Sequence, residues 1–145
     1  MDSIPPPEGF RHHLALQVRW GDMDALGHVN NAVYLTYLEQ ARLDYAKAYW
    51  QGQGDGIGVI MARIAIDYKM PLVASDDVHI YTRCSRLGNR SFDMEQWVMR
   101  WKDGALEIAA QATTTVVVYD YDSQQSVLIP EVWREIMQSY EGRAL

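Results

Sequence analysis

The spacing of apolar side chains predicts one long helix in the first half of the chain. Over residues 31–49, apolar positions recur every three or four residues, as on one face of a helix. Either Asn30 or Asn31 can cap its first turn, because an Asn side chain accepts from the free N–H groups there. The buried face of this helix comprises Tyr34, Leu38, Ala41, Tyr45 and Ala48.

Beyond residue 58 the period of the apolar positions changes to two, which is typical of strands with one buried face. The stretch from Ser91 to Trp101 is also strand-like, but its apolar phase slips at Gln96–Trp97, which indicates a β-bulge. The pair Asp103–Gly104 after it predicts a tight hairpin turn. Strands with clear alternation cover residues 62–70, 78–85 and 106–118, and an earlier strand covers residues 12–20.

This order of segments predicts an α+β fold, in which the long helix packs on an antiparallel sheet of about five strands. A short helix with Pro130 at its first position ends the chain. Residues 10–145 form a single domain, residues 1–9 form a disordered lead with three consecutive prolines, and the glycine-rich residues 51–58 form a loop. The inward side chains of the last helix are Trp133, Ile136 and Met137.

Composition narrows the class of protein. Apolar residues make up 48 % of the chain, as in globular proteins, and the net charge of −6 argues against nucleic-acid binding. Cys84 is the single cysteine, so no internal disulfide can form, which suits a reducing compartment. We found neither a membrane-spanning apolar run nor a signal-peptide pattern, and we expect a cytoplasmic protein without membrane insertion.

The most informative segment runs from Val18 to Arg42 and reads VRWGDMDALGHVNNAVYLTYLEQAR. It contains Asp-x-Asp-x-x-Gly, then His-Val-Asn-Asn, then Glu-x-x-Arg on the predicted helix. This pattern resembles the signature of the hydroxybenzoyl-CoA and long-chain acyl-CoA thioesterase branch of the hotdog-fold superfamily. A weaker match is the stretch Tyr68-x-x-Pro71. The resemblance covers roughly residues 12–120 and implies the hotdog fold and hydrolysis of an acyl-CoA to a carboxylic acid and coenzyme A.

Residues of these types can hydrolyse a thioester. The N-terminus of a helix has free N–H groups and a partial positive charge, which favour a developing oxyanion. Gly27 allows a substrate to approach the backbone, and Asp24 can either attack the carbonyl carbon or activate a water molecule. The resemblance implies that Asp24 is the catalytic carboxylate and that a backbone N–H near Asn31 polarises the carbonyl.

Several of these residues also have a purely structural interpretation. Asp22 is typical of a turn, and His28 either orients the substrate or Asp24, or simply satisfies a loop carbonyl. Glu39 either reaches a partly buried site or forms an ion pair with Arg42 on the same helix. The candidate catalytic residues are Asp24, Asn31 and His28, and the candidate substrate-binding residues are Gly27, Tyr34, Glu39, Tyr68, Arg90 and Ser91.

Coenzyme A carries phosphates, so its site requires basic side chains. Arg83, Arg86, Arg90 and Ser91 flank a turn at residues 87–89. In the family this strand junction lies near the nucleotide end of the ligand. The alternative is a solvated basic turn without a ligand.

The sequence shows no pattern of a metal or cofactor site. The Asp22-x-Asp24 pair fails the spacing of a calcium loop, because the twelfth position is Val33 instead of Glu. The four histidines do not pair at zinc-ligand spacings. Cys84 has apolar neighbours on the same face of a predicted strand, so we interpret it as a core residue. We therefore expect activity without a metal or a cofactor.

Two other functions stay open at this point. One is a non-catalytic acyl-CoA-binding protein, and the other is a hydroxyacyl-thioester dehydratase, which would carry a His-Phe-Pro-type loop where this chain has His-Val-Asn-Asn. A single hotdog unit leaves sheet edges exposed, so we expect a homodimer or homotetramer. In the family the active sites lie at the subunit interface. The sequence does not determine the acyl chain that is hydrolysed.

Overall fold

The computed structural model describes residues 4–50 and 56–145 and contains one antiparallel sheet and two helices. The strand order is β1-β3-β4-β5-β2, with β6 beside β5, and the long helix α1 packs on the inner face of the sheet. This arrangement confirms the predicted α+β hotdog fold. The elements are β1 (His12–Gln17), α1 (Val33–Ala46), β2 (Ile57–Tyr68), β3 (Asp77–Leu87), β4 (Ser91–Lys102), β5 (Ala105–Asp120), β6 (Gln125–Ser126) and α2 (Glu131–Glu141).

The first strand is shorter than predicted. β1 ends at Gln17 and not at Trp20, because a single 3-10 turn occupies Trp20–Asp22. The backbone N–H of Arg19 donates to the Asp22 carboxylate at 2.9 Å, which fixes this turn. The turn leaves the Trp20 side chain 87 % exposed, so it cannot belong to the buried sheet.

The long helix is also shorter than residues 31–49, since α1 begins at Val33 and ends at Ala46. Neither predicted Asn caps the helix itself. The Asn30 side chain accepts the N–H of Ala32 at 2.9 Å, so it shapes the turn that precedes the helix. The buried face of α1 is confirmed, with Tyr37 added to the predicted residues and Ala48 only half-buried.

The start of β2 corrects the predicted loop over residues 51–58. β2 begins at Ile57, so the last two residues of that segment belong to a strand. Residues 51–55 of the predicted loop, and residues 1–3 of the predicted lead, lie outside the described residues. The division of the chain into a lead over residues 1–9 and one domain over residues 10–145 stays a prediction.

The bulge predicted in β4 lies instead in the neighbouring β5, where Ala109 is the extra residue between the partners of Val98 and Met99. The register between β4 and β5 shifts between Val98 and Met99, and not at Gln96–Trp97. Gln96 keeps the alternation, and its fully buried amide donates to the carbonyl of Leu38 at 3.0 Å. A buried and fully paired glutamine therefore produced the apparent phase slip in the sequence.

The hairpin agrees with the sequence, and so does the last helix apart from its first residue. Asp103 and Gly104 both have positive φ, at 53° and 77°, which is the geometry of a two-residue hairpin turn. α2 starts at Glu131, so Pro130 is its N-cap and not, as predicted, its first residue. Of the predicted inward side chains, Trp133 and Met137 are buried and Ile136 is half-buried. No helix in the described part of the chain is both long and apolar enough to cross a membrane.

β2 forms an edge of the sheet that is unusually long and apolar. Within the described chain it pairs with β5 only, and Ile60 and Met61 are 40 % and 44 % exposed. The adjacent α1 exposes Leu35 and Leu43. A long edge strand with exposed apolar side chains is a surface that another chain can cover.

Candidate active site

Asp24 lies in a short loop that the backbone closes on itself. Met23 and Val29 form an antiparallel bridge across the loop, and the N–H of Asp24 donates to the carbonyl of His28 at 2.7 Å. Gly27 has a φ of +82°, a backbone conformation that residues other than glycine rarely adopt. A Cβ added at Gly27 would meet no atom within 4 Å, so this side of the loop is open.

The Asp24 carboxylate is held by one of its oxygens. Its Oδ1 accepts the backbone N–H groups of Leu26 at 2.9 Å and His28 at 3.1 Å, while no described residue bonds to Oδ2. The backbone hydrogen bond from His28, followed by the one from Leu26, lowers the pKa of Asp24 below its ordinary value of 3.8. Near neutral pH the side chain is therefore an oriented anion with a free oxygen.

Asp24 opens into a cleft of about 490 Å³ that contains most of the predicted site residues. The Tyr68 hydroxyl donates to the carbonyl of Asn31 at 2.8 Å, and the Tyr68 ring stands edge-on to Tyr34 with centroids 5.1 Å apart. His28 lies on the same wall. The structure thus brings together residues from the loop, the start of α1 and the end of β2.

The chain entering α1 offers a backbone donor to this cleft. Asn30 satisfies the two amides that follow Asn31: its side chain accepts the N–H of Ala32 and its carbonyl accepts the N–H of Val33, each at 2.9 Å. The N–H of Asn31 itself donates to no described residue. Asn31 is exposed and lines the cleft, so this amide is available to a substrate oxygen.

A second cleft, of about 570 Å³, lies on the other side of the Asp24 loop. Trp20 and Met23 form one wall, and residues 73–75 form the other. Trp20 was not among the predicted site residues. Its position two residues before the Asp-x-Asp pair could have identified it as a candidate. Asp24 and Gly27 line this cleft too, so the Asp24 loop borders both clefts.

Glu39 does not belong to the Asp24 cleft. It lines a separate cavity farther along α1, together with Arg42. The two side chains form no ion pair among those of the described chain, but the Glu39 charge raises the pKa of Arg42, in the direction of the predicted interaction.

Arg90 and Ser91 lie at the opposite end of the sheet from Asp24. Ser91 pairs with Val117 of β5, whereas Tyr68, which lines the Asp24 cleft, pairs with Ala110. These two positions on β5 are about 24 Å apart at 3.4 Å per residue. Arg90 donates to the carbonyl of Ser126 at 2.6 Å. Within one chain, neither residue reaches the cleft.

The other arginines of the predicted basic patch are already paired. Arg83 binds Glu95 at 2.7 Å, and Arg86 binds Asp93 at 2.7 Å. The patch is therefore less positive than its sequence implies, and Arg90 is its one member that forms no ion pair in the described chain.

The described residues offer neither a metal site nor a cysteine nucleophile. They contain no group of three or more His, Cys, Asp or Glu side chains that could hold a metal ion. Cys84 is fully buried, and burial raises the pKa of its thiol to about 12. The ionisable side chains that line the cleft are those of Asp24, His28, Tyr34, Tyr68 and Lys69.

Comparisons of the sequence and of the structure with known proteins both find thioesterases. The model of the Thioesterase-like superfamily matches residues 18–137. The long-chain acyl-CoA thioesterase FadM of Escherichia coli (strain K12) is 29 % identical over 126 residues, which cover 85 % of this chain and 94 % of FadM. A thioesterase from Thermus thermophilus, complexed with coenzyme A and Zn, is 34 % identical with a TM-score of 0.83, covering 96 % of this chain and 100 % of that one. A thioesterase-superfamily structure from Jannaschia sp. CCS1 is 29 % identical with a TM-score of 0.86, covering 96 % and 89 %.

Proposed function

The chain is a thioesterase that belongs to the thioesterase-like superfamily, and we propose that it hydrolyses an acyl-CoA to a free carboxylic acid and coenzyme A. The observation that carries this proposal is the geometry of Asp24. One carboxylate oxygen is fixed by two backbone amides and the other is free, beside the N–H of Asn31, which has no partner in the described chain. The relatives support the substrate class, since FadM acts on long-chain acyl-CoA and the Thermus enzyme binds coenzyme A.

In the proposed reaction the thioester carbonyl oxygen accepts the N–H of Asn31, and the carbonyl carbon faces Oδ2 of Asp24. Two routes follow from this placement. Oδ2 attacks the carbon to form an anhydride and release the coenzyme A thiolate, and water then hydrolyses the anhydride. Alternatively, Oδ2 takes a proton from a water molecule while that water attacks the carbon, and the C–S bond then breaks to release the coenzyme A thiolate and the carboxylic acid. Both routes need the carboxylate ionised.

The remaining residues of the cleft position the substrate. The Tyr68 hydroxyl holds the carbonyl of Asn31, which steadies the backbone that carries the proposed donor. Tyr34 packs against Tyr68 and forms the floor of the cleft. His28 donates its backbone N–H to Asp24, and Gly27 leaves room for the thioester beside it.

We expect the active form to be a homodimer, because the β2 edge is apolar and carries no second partner in the described chain. Antiparallel pairing of two β2 strands would place the Ile57 end of one strand beside the Tyr68 end of the other. That pairing would bring the partner's Arg90 and the partner's Ser91 toward Asp24. The coenzyme A phosphates would then bind to one subunit while the thioester is cleaved on the other.

The decisive experiment is a free-thiol release assay on acyl-CoA thioesters from octanoyl to hexadecanoyl, together with 4-hydroxybenzoyl-CoA. We expect turnover of at least one thioester, with stoichiometric carboxylic acid. Tight binding without thiol release would favour a non-catalytic acyl-CoA-binding protein. Dehydration of a hydroxyacyl-CoA with the thioester left intact would favour the dehydratase.

A further inference from the structure

The second cleft beside the Asp24 loop, the Trp20 cleft of about 570 Å³, differs in chemistry from the Asp24 cleft. Its walls are mainly apolar, with Asp24 and Ser75 as the polar side chains. Among the described residues, no lysine, arginine or histidine lines it. The Asp24 cleft, in contrast, is lined by His28 and Lys69. The two clefts therefore suit different parts of a ligand, one apolar and the other rich in hydrogen-bonding groups. The apolar side chains of the Trp20 cleft are those of Trp20, Met23, Ala25, Val73 and Ala74.

Hydrogen bonds fix both walls of the Trp20 cleft. The turn that carries Trp20 is closed by the carboxylate of Asp22. In the other wall, the N–H of Val73 donates to Oδ2 of Asp76 at 2.8 Å, and the N–H of Asp76 donates to the carbonyl of Val73 at 3.0 Å. The distance between the two walls is therefore set by the fold, and the cleft is formed before a ligand enters it.

Trp20 is 87 % exposed, although the turn that carries it is fixed. Its indole is the largest apolar side chain of the cleft, and Met23 and Val73 are only half-buried. Apolar side chains that are held together in water mark a site for an apolar partner. An apolar group that enters the cleft would remove this surface from water, which stabilises the complex in proportion to the area covered.

Asp24 is the residue that lines both clefts. The carbonyl carbon of a thioester carries two substituents that point apart, the acyl carbon on one side and the sulfur on the other. With this carbon at Asp24, each substituent can extend into its own cleft, and no further channel between the clefts is needed. The amide groups in the arm of coenzyme A find hydrogen-bonding partners in the Asp24 cleft, which leaves the Trp20 cleft for the acyl group.

We propose that the Trp20 cleft receives the acyl group, and that Trp20 and Asp24 together select acyl groups that are apolar and uncharged. The inference rests on the proposed acyl-CoA hydrolysis and adds a substrate class to it. Each CH₂ group that enters the cleft is removed from water against Trp20. A carboxylate on the acyl chain would lose its water without finding a cation, and the charge of Asp24 would repel it. The neighbouring Arg19 does not line the cleft and pairs with Asp22 at 3.5 Å.

The first test measures kcat/KM for straight-chain acyl-CoA thioesters from butanoyl to decanoyl in the full-length protein. For the wild type we expect a rise with chain length of up to about fourfold for each CH₂ group that the cleft covers. Trp20→Ala should flatten this rise, because the chain then loses the wall that covers it. Trp50→Ala is the matched control. It removes another exposed indole, 52 % exposed, from beyond the far end of α1, and the rise should persist.

The second test concerns the charge of the acyl group. In the wild type, kcat/KM for octanoyl-CoA should exceed that for its ω-carboxy analogue by about tenfold or more. Ala74→Arg adds a cation to the exposed wall of the cleft and should shift this ratio toward the ω-carboxy thioester by about tenfold. Ala144→Arg adds the same charge at an exposed position near the end of the chain and should leave the ratio unchanged.

Three outcomes would overturn the inference. A wild-type kcat/KM that does not rise with chain length, or a rise that a normally melting Trp20→Ala protein keeps, would show that the acyl chain lies elsewhere. A change of mass in light scattering for Trp20→Ala would assign the Trp20 ring to a subunit contact. If Trp20→Ala does not fold, Ala74→Arg decides, because an unchanged ratio of the two eight-carbon thioesters would count against the site. Lack of turnover on every acyl-CoA would overturn the proposed function instead.

Discussion

The Tyr37 hydroxyl donates a 2.6 Å hydrogen bond to Oδ2 of Asp22, and both side chains are buried. The same oxygen accepts the backbone N–H of Arg19 at 2.9 Å. Asp22 and Asp24 are two residues apart, yet Asp22 is enclosed by its partners while Asp24 faces a cleft. Asp22 thus ties the loop to α1 and leaves Asp24 available for chemistry.

Removing the Asp22 carboxylate should destabilise the fold. In Asp22→Ala the buried Tyr37 hydroxyl and the Arg19 amide lose their acceptor, which costs about 2–3 kcal/mol. Asp22→Asn keeps an acceptor and should cost about 1 kcal/mol. Thermal unfolding of both variants and of Tyr37→Phe, combined with Asp22→Ala in a double-mutant cycle, measures the coupling. Strictly additive effects would show that the hydrogen bond contributes nothing of its own.

The contribution of Asp22 should also depend on pH. Burial alone would raise the pKa of Asp22, but the hydrogen bonds from Tyr37 and Arg19 bring it below its ordinary value of 3.8. The unfolded chain therefore takes up the proton first as the pH falls, and the stabilisation, complete above about pH 5, is lost as the pH falls through the folded pKa. Melting curves from pH 7 to pH 3 should show the gap between wild type and Asp22→Asn narrowing with acidity. A gap that is constant or widens would contradict this assignment.

Much of the fold could be predicted because burial imposes a period on each element. The alternation from Ala110 to Val118 in β5 and the helical spacing around Leu38 both follow from one buried face. In β3, residues 78–82 are buried on both faces, although the sequence predicts a half-buried strand there.

The predicted boundaries and the predicted bulge are wrong where hydrogen bonds of a polar side chain decide the local structure. Asp22 ends the first strand early, and Gln96 is buried because its polar atoms are paired. The period of apolar positions reports burial only, so it reveals neither the hydrogen bond of Asp22 to Arg19 nor that of Gln96 to Leu38.

The candidate site also contains residues that the sequence could group together and residues that only the structure could place. Asp24, His28, Asn31 and Tyr34 are close together in space because one loop and one helical turn contain them all. The placement of Glu39 required the structure, because its cavity also needs β2, β4 and β5. Residues contributed by distant strands leave no spacing signal in a single sequence.

The protein should form at least a dimer through the β2 edge. Light scattering should report about twice the 16.6 kDa of one chain or more. Ile60→Lys places a charge on the exposed apolar edge and should shift the population toward the monomer, with activity falling in parallel. Lys47→Met, on the far end of α1, serves as the matched surface control. A wild-type mass of one chain across micromolar concentrations would rule out the dimer.

Hydrolysis should continue without a metal ion. An oriented carboxylate and a backbone N–H supply both the base or nucleophile and the oxyanion donor, so no Lewis acid is required. Dialysis against a strong chelator should leave kcat/KM unchanged within error, and inductively coupled plasma analysis of the dialysed protein checks the removal. Activity lost on chelation and restored by one particular divalent ion would show a metal-dependent mechanism.

Asp24→Asn should reduce turnover by about 10²–10⁴, the usual contribution of a positioned acid–base group. Asn matches Asp in size, and its oxygen can still accept the N–H groups of Leu26 and His28, so the loop should keep its shape. It cannot attack as an anion or take a proton from water, so only the chemistry is lost. Single-turnover measurements on the best acyl-CoA found in the thiol-release assay give the rate.

Two controls separate this chemical role of Asp24 from a structural one. Asp22→Asn changes the neighbouring carboxylate in the same way and should lower stability more than turnover, because its oxygens face Tyr37 and Arg19 and not the cleft. Acyl-CoA binding by Asp24→Asn, measured calorimetrically, should stay near the wild-type value, with a normal melting temperature. The expected loss of turnover is about 10²-fold or more. If Asp24→Asn instead keeps more than about half of the wild-type turnover and melts normally, the role of Asp24 is structural. In that case another group must deliver the nucleophile.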